Sequence, residues 1–182
     1  MESFNTWSSY MNFSIRQTIT RLFAPQHRLS CSWLIWRRLL VSLRQRGADG
    51  QGESGAFLLG HRNDGRARIK QFVLYDDLDP NSLKTGIVRF DGRYYSGLWE
   101  LCRKTGLVVV ADVHTHPDGA GQSQSDQANP MISRAGHIAI IVPRFAAAPV
   151  RRPDLGIYLY EGAKKWTPIG IDEHRRFLKI GW

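Results

Sequence analysis

The apolar positions of the chain fall into runs whose spacing switches between helix and strand. In WLIWRRLLVSLRQRG, residues Leu34, Ile35, Leu39, Leu40 and Leu43 recur at helical spacing, with Ser32 ahead of them and Gly47 behind. Serine is a good N-cap and glycine a common stop, so this stretch predicts a helix. After a Gly-rich loop, GAFLLG and KQFVLY flank HRNDGRARI, and an Asn-Asp-Gly turn between two apolar runs predicts a β-hairpin. DDLDPNSLKTG is loop-like. A helix is predicted over residues 94–104, with Tyr95, Leu98, Trp99 and Cys102 on one face and Gly106 as its cap.

LVVVADVHTHP is apolar almost to its end and reads as a buried central strand. DQANPMISRAG predicts a helix that Pro130 disturbs, because proline lacks the backbone donor a helix needs. HIAIIVP is a second buried strand, and GIYLYEG with KKWTPIG predicts a final pair of strands. IDEHRRFLKIGW fits an edge strand or a short helix equally well. Strands and helices alternate around one core, which predicts an α/β fold with a mixed sheet in a domain spanning residues 30–182. Residues 1–29 read as an N-terminal extension. Ile15, Ile19, Leu22 and Phe23 have helical spacing there and end before Pro25. This segment lacks the apolar core of a signal peptide; its Ser and Arg content with one acid, Glu2, is also how a transit peptide reads.

Composition changes the picture in three places. The 182 residues, 42% of them hydrophobic, suit one domain with a real core. Lys and Arg outnumber Asp and Glu by 25 to 16, and the resulting charge of +9 favours acidic partners or a scattered basic surface. No helix-turn-helix, zinc-finger or RNP pattern accompanies it, so nucleic acid is not an expected partner. Cys31 and Cys102, both in stretches read as helical, are too few for a disulfide framework. Free thiols imply a reducing, cytoplasmic setting. No run reaches the roughly 18–20 apolar residues of a membrane span, so no membrane partner is expected.

The candidate chemistry begins where the buried strand ends. Residues i and i+2 of a strand point to one side, so His114 and His116 project together. Two neutral imidazoles can bind a divalent metal at about 2.0–2.1 Å each. Pro117 ends the pairing and leaves them at the strand's open C-terminal end, where open α/β sheets place their sites. Asp126 can fold back across a flexible loop as a third ligand. Two histidines and a carboxylate leave one position of a tetrahedral ion for water, the catalytic arrangement. Ser123-x-x-Asp126 taken alone is also a helix capping box. A hydrolase of this kind needs a general base, and Glu53, just before an apolar strand, is the candidate; taken alone it reads as a solvated loop residue. His137 reads as a structural histidine and His61 and His27 as exposed ones; His174 has no assigned part.

ESGAFLLG (Glu53 to Gly60) and HTHPDGAGQSQSD (His114 to Asp126) together resemble the JAB1/MPN/Mov34 metalloenzyme family, whose motif is called JAMM. The resemblance covers about residues 30–160 in the order of the elements, with Glu53 seven residues before the glycine that closes its strand. It implies a single JAB/MPN-type α/β domain with a mixed, mostly antiparallel curved sheet flanked by helices. It implies one Zn2+ on His114, His116 and Asp126, Glu53 as general acid/base for a zinc-activated water, and Ser123 as hydrogen-bond donor to the oxyanion. The loop PDGAGQ has six residues where the family usually has seven, and Ser125 is the alternative to Ser123. The implied activity is that of an isopeptidase or peptidase cleaving after the C-terminal glycine of a ubiquitin-like protein. Its tail would lie extended as an added strand, with loop 76–92 as the substrate-contacting insertion. Small bacterial members of this type are encoded with E1-like, E2-like and ubiquitin-like proteins in anti-phage conjugation systems, which implies those as partners. The alternatives are a non-catalytic MPN scaffold and a processing enzyme for a sulfur-carrier-like precursor.

Overall fold

A computed structural model describes residues 27–48 and 50–181. In chain order the elements are β1 (Leu29–Cys31), α1 (Trp33–Arg46), β2 (Gly55–Asn63), β3 (Arg66–Leu74), α2 (Tyr75–Leu78), α3 (Tyr95–Thr105), β4 (Val108–Thr115), α4 (Gln124–Ala128), β5 (Ile138–Val142), β6 (Gly156–Gly162), β7 (Lys165–Pro168), α5 (His174–Phe177) and β8 (Leu178–Ile180). The strands form one sheet in the order β7-β6-β5-β4-β2-β3-β1-β8. Pairs β2–β3, β2–β4, β5–β6 and β6–β7 are antiparallel, and β1–β3, β1–β8 and β4–β5 are parallel. This is the mixed, mostly antiparallel α/β sheet expected.

Alternation along the strands divides the core between two faces. Ala56 and Leu58 of β2 join Val110 and Val113 of β4 under Trp36, Leu39 and Leu43 of α1. Phe57 and Leu59 face the other way and pack with Tyr75, Leu98 of α3 and Leu107. The hairpin turn carries Asp64 at φ 47° and Gly65 at φ 75°, the left-handed pair that a two-residue turn requires. Gly106 ends α3 at φ 67°.

Several expectations need correction. The buried face of α1 is Trp36, Leu39 and Leu43, while Leu34 is 53% exposed; the interior follows the i, i+3, i+7 row from Trp36, and Leu34 falls off it. Tyr95 and Trp99 do share a face of α3, stacked ring on ring, and Trp99 lies half exposed at its edge. Gly60 does not close its strand: β2 runs on to Asn63 with a register shift at Leu59/Gly60, where a Cβ would lie 2.0 Å from the Arg68 carbonyl oxygen. The helix expected over DQANPMISRAG stops at Ala128, because Asn129 precedes Pro130 and leaves helical backbone (φ −127°, ψ 69°). The C-terminal segment forms both of its alternatives in turn, α5 then β8. Cys31 lies in β1, not in a helix, and burial pushes its thiol up to about 12. His27 is half-buried rather than exposed. Both cysteines are free.

Leu29 already pairs in the sheet, and the helix expected at Ile15–Phe23 lies outside the described residues. Among the described residues no helix is long and apolar enough to cross a membrane.

Candidate metal centre

Strand β4 lies between β2 and β5 and carries Asp112 and His114 on one side, and His116 follows directly after its last residue, Thr115. Parallel pairing with β5 sets His114 opposite Ile141, and the His116 amide donates to the Val142 carbonyl at 3.0 Å. Backbone order therefore extends through both histidines, which are 5% and 9% exposed. The chain then leaves the sheet at Pro117. Its return is fixed at Ala120, whose carbonyl accepts from the Tyr158 hydroxyl at 2.9 Å. A Cβ at Gly156 would lie 1.9 Å from that same oxygen, so glycine lets this loop close onto β6.

The loop ends at the N-cap of α4. Ser123 Oγ accepts from the Asp126 amide at 3.1 Å, and Asp126 Oδ2 accepts from the Ser123 amide at 2.7 Å, a complete capping box. The same carboxylate meets the histidines: Oδ1 lies 3.5 Å from His114 Nε2 and Oδ2 lies 3.2 Å from His116 Nε2. The two Nε2 atoms are 3.1 Å apart. Four ligands at about 2.0–2.1 Å around a tetrahedral ion stand about 3.3–3.4 Å from one another. The contacts among the three side chains, 3.1–3.5 Å, bracket that spacing, the two Asp126 contacts being made by different oxygens of its carboxylate, and the three residues fit a metal. The capping box and a position beside both histidines, which the sequence offers as alternatives, coexist in Asp126: the cap orients the carboxylate, and the six-residue loop is long enough to bring it there.

Electrostatics agree with this convergence. Burial disfavours a charged His114, but the Asp112 and Asp126 carboxylates outweigh it and push the imidazole up to about 9. Burial would raise Asp126, yet hydrogen bonds from His114 and His116 hold it well below the usual carboxylate range. The pocket is built for positive charge beside Asp126, whether proton or metal.

A second layer lies behind His114. Asp112 is 1% exposed, and its Oδ1 is 2.5 Å from His137 Nε2 while its Oδ2 accepts from the Tyr75 hydroxyl at 3.2 Å. Burial works against its charge, but His114 and His137 hold it below the ordinary range. Tyr75 reaches this place because Gly55 has no side chain: a Cβ there would lie 2.2 Å from the ring. The sequence reading missed Asp112 and gave His137 only a structural part. The available signal was the carboxylate itself, two residues before His114 in an otherwise apolar strand.

Glu53 and Ser123 sit at the rim. The Ser54 amide donates to Thr115 Oγ1 and the Thr115 amide to the Ser54 carbonyl, both at 2.9 Å, extending the Gly55–His114 register by one residue. The Glu53 carboxylate is engaged by the 79–91 loop, accepting from the Val88 amide at 3.0 Å, while its own amide donates to the Gly86 carbonyl at 2.9 Å. Among the described residues the metal-competent cluster comprises His114, His116 and Asp126; Glu53 and Ser123 are not part of it.

No family model matches the chain. A protein of Sinorhizobium fredii named probable metalloprotease y4jG is 29% identical over 77 residues, 42% of this chain and 48% of its own length. The chain thus spans about half of that relative. In fold, the protein DSY2949 of Desulfitobacterium hafniense superposes with a TM-score of 0.60 at 15% identity, over 84% of this chain and 92% of its own. A Salinibacter ruber protein gives 0.45 at 21% identity, over 72% and 85%. The chain therefore has a distant metalloprotease-like relative, together with a histidine–carboxylate cluster able to hold a metal ion.

Proposed function

We propose that the chain is a zinc-dependent peptidase of the JAMM type that cleaves after the C-terminal glycine of a ubiquitin-like protein. The observation that carries this is the convergence of His114, His116 and Asp126 at separations of 3.1–3.5 Å. Two nitrogens and one carboxylate oxygen are a donor set suited to catalytic zinc. A metal held there supplies Lewis acidity, polarising a carbonyl and lowering the pKa of a water. The chain's own residues do the rest. Glu53 takes a proton from the attacking water on its carboxylate and returns it to the leaving amine. Its Oε2 is hydrogen-bonded to the Val88 amide, so loop 79–91 steadies the base. The Ser123 hydroxyl, spent only as an acceptor in the capping box, keeps its proton to donate to the developing oxyanion.

Both edges of β4 are taken by β2 and β5, so an extended substrate tail would align along loop 79–91 rather than join the sheet at the site. The ubiquitin-like substrate, and E1-like and E2-like partners with it, rest on the resemblance of ESGAFLLG and HTHPDGAGQSQSD to the JAMM motif. The test is release of a reporter fused behind the C-terminal glycine of a ubiquitin-like protein. The wild type should release it and Glu53→Ala should not. Equal release by both would remove Glu53 from the mechanism; no release by a zinc-loaded wild type would favour the scaffold reading.

A further inference from the structure

We infer that Asp112 is a positioning residue for the metal, acting through His114. The inference rests on the metal reading of the site above and adds a part of the chain that the reading does not use. A neutral imidazole that binds a metal through one nitrogen must carry its proton on the other, and a metal-ligating histidine generally donates that proton to a carboxylate, carbonyl or water. His114 points Nε2 at His116 and Asp126. Its Nδ1 is buried and makes no hydrogen bond, and Asp112 Oδ2 lies 3.9 Å away from it. That nitrogen is a donor one short movement from its acceptor.

Asp112 is held for this task from two other sides. His137 Nε2 grips Oδ1 at 2.5 Å and the Tyr75 hydroxyl reaches Oδ2 at 3.2 Å. A carboxylate offers about four acceptor sites, so both bonds can persist while Oδ2 takes a third from His114. His137 directly precedes β5, Tyr75 opens α2 and Asp112 lies within β4, so three separate parts of the chain converge on one buried carboxylate. A plain core network would need no orphaned imidazole nitrogen facing it. An orienting device needs that nitrogen, and it fixes which nitrogen of the ring is left to meet the metal.

Zinc affinity is measured by competition with a chromophoric chelator, for the wild type and for Asp112→Asn, which keeps size and burial but removes the anionic acceptor. The expected loss is about 10–100-fold in affinity, with the zinc-free variant still folded and cooperative on heating. Affinity within about twofold of wild type would overturn the inference while leaving the metal reading standing. A wild type that binds no zinc would sink that reading, and this inference with it. Should Asp112→Asn not fold, long-range 1H–15N spectra of the zinc-loaded wild type decide alone. The His114 proton belongs on Nδ1, with the downfield shift of a carboxylate-bonded N–H; a proton on Nε2, or a solvent-like shift, overturns the assignment.

Discussion

His114 stands on a strand paired on both sides, with His116 just past its end and still tied to the Val142 carbonyl, whereas Glu53 lies ahead of β2 and Ser123 caps α4. The two histidines are nearly excluded from solvent, and Asp126 is brought to them by a helix cap and a loop pinned to β6. Glu53 precedes its strand and is hydrogen-bonded to a loop amide, and Ser123 is exposed at its cap. On the proposed mechanism the contrast follows from what each group would do. Donor atoms that meet one ion have to be fixed to a few tenths of an ångström before it arrives, or the ion's binding energy is lost in ordering them. Groups that pass a proton or touch a transient oxyanion have to meet solvent and substrate, so they belong at the rim.

The largest expected effect tests the rigid half. His116→Ala removes one of three donors, and zinc retained after dialysis should fall from one per chain to below roughly a tenth, read by elemental analysis. Asp126→Ala should match it. Retention of a full equivalent by either variant would mean that the metal sits elsewhere. Glu53→Gln tests the other half. Zinc content should be unchanged while turnover of the fused substrate drops roughly 10²–10⁴-fold. Loss of zinc in this variant would make Glu53 a ligand and erase the distinction between the halves.

Ser123 lies on the boundary, because its oxygen caps α4 and its proton is free for chemistry. Replacing an N-cap serine by alanine costs about 1 kcal/mol, by glycine only a few tenths. If the hydroxyl serves the oxyanion, Ser123→Gly and Ser123→Ala should lose similar turnover, on the order of 10²-fold, with zinc affinity little changed in the glycine variant. If it serves only the cap, Ser123→Gly should remain near wild type and only Ser123→Ala should weaken zinc.

The rigid half was also the more legible in sequence. VVVADVHTHP announces a buried strand and two same-side ligands by period alone, and the Asn63-Asp64-Gly65 turn announces the hairpin by local backbone chemistry. Strand β1 escaped because it has three residues and is made by partners far away: Leu29 pairs with both Ala67 and Leu178. Asp112 escaped for a related reason. A carboxylate in an apolar strand gains meaning only from His137 and Tyr75, which no local pattern brings to it. The cap and the candidate ligand at Asp126 could not be separated by spacing, and one carboxylate both closes the capping box and lies beside the histidines.

The smallest expected effect concerns the joint between the halves. The Ser54 amide and Thr115 Oγ1 tie the start of β2, beside Glu53, to the end of β4, between the two histidines. Thr115→Val preserves shape but leaves that buried amide without an acceptor, at a cost of about 1–3 kcal/mol. For a chain of this size each kcal/mol lowers Tm by about 2–4 °C, which differential scanning calorimetry resolves. The backbone bond from the Thr115 amide to the Ser54 carbonyl remains, so β4 keeps its register and the histidines their separation. Zinc affinity should therefore hold, and turnover should fall only a few-fold, on the order expected when a positioned base drifts by a fraction of its hydrogen-bond reach. A parallel fall in zinc affinity and turnover would show that β4 does not carry its ligands independently of β2, and the two halves would have to be treated as one.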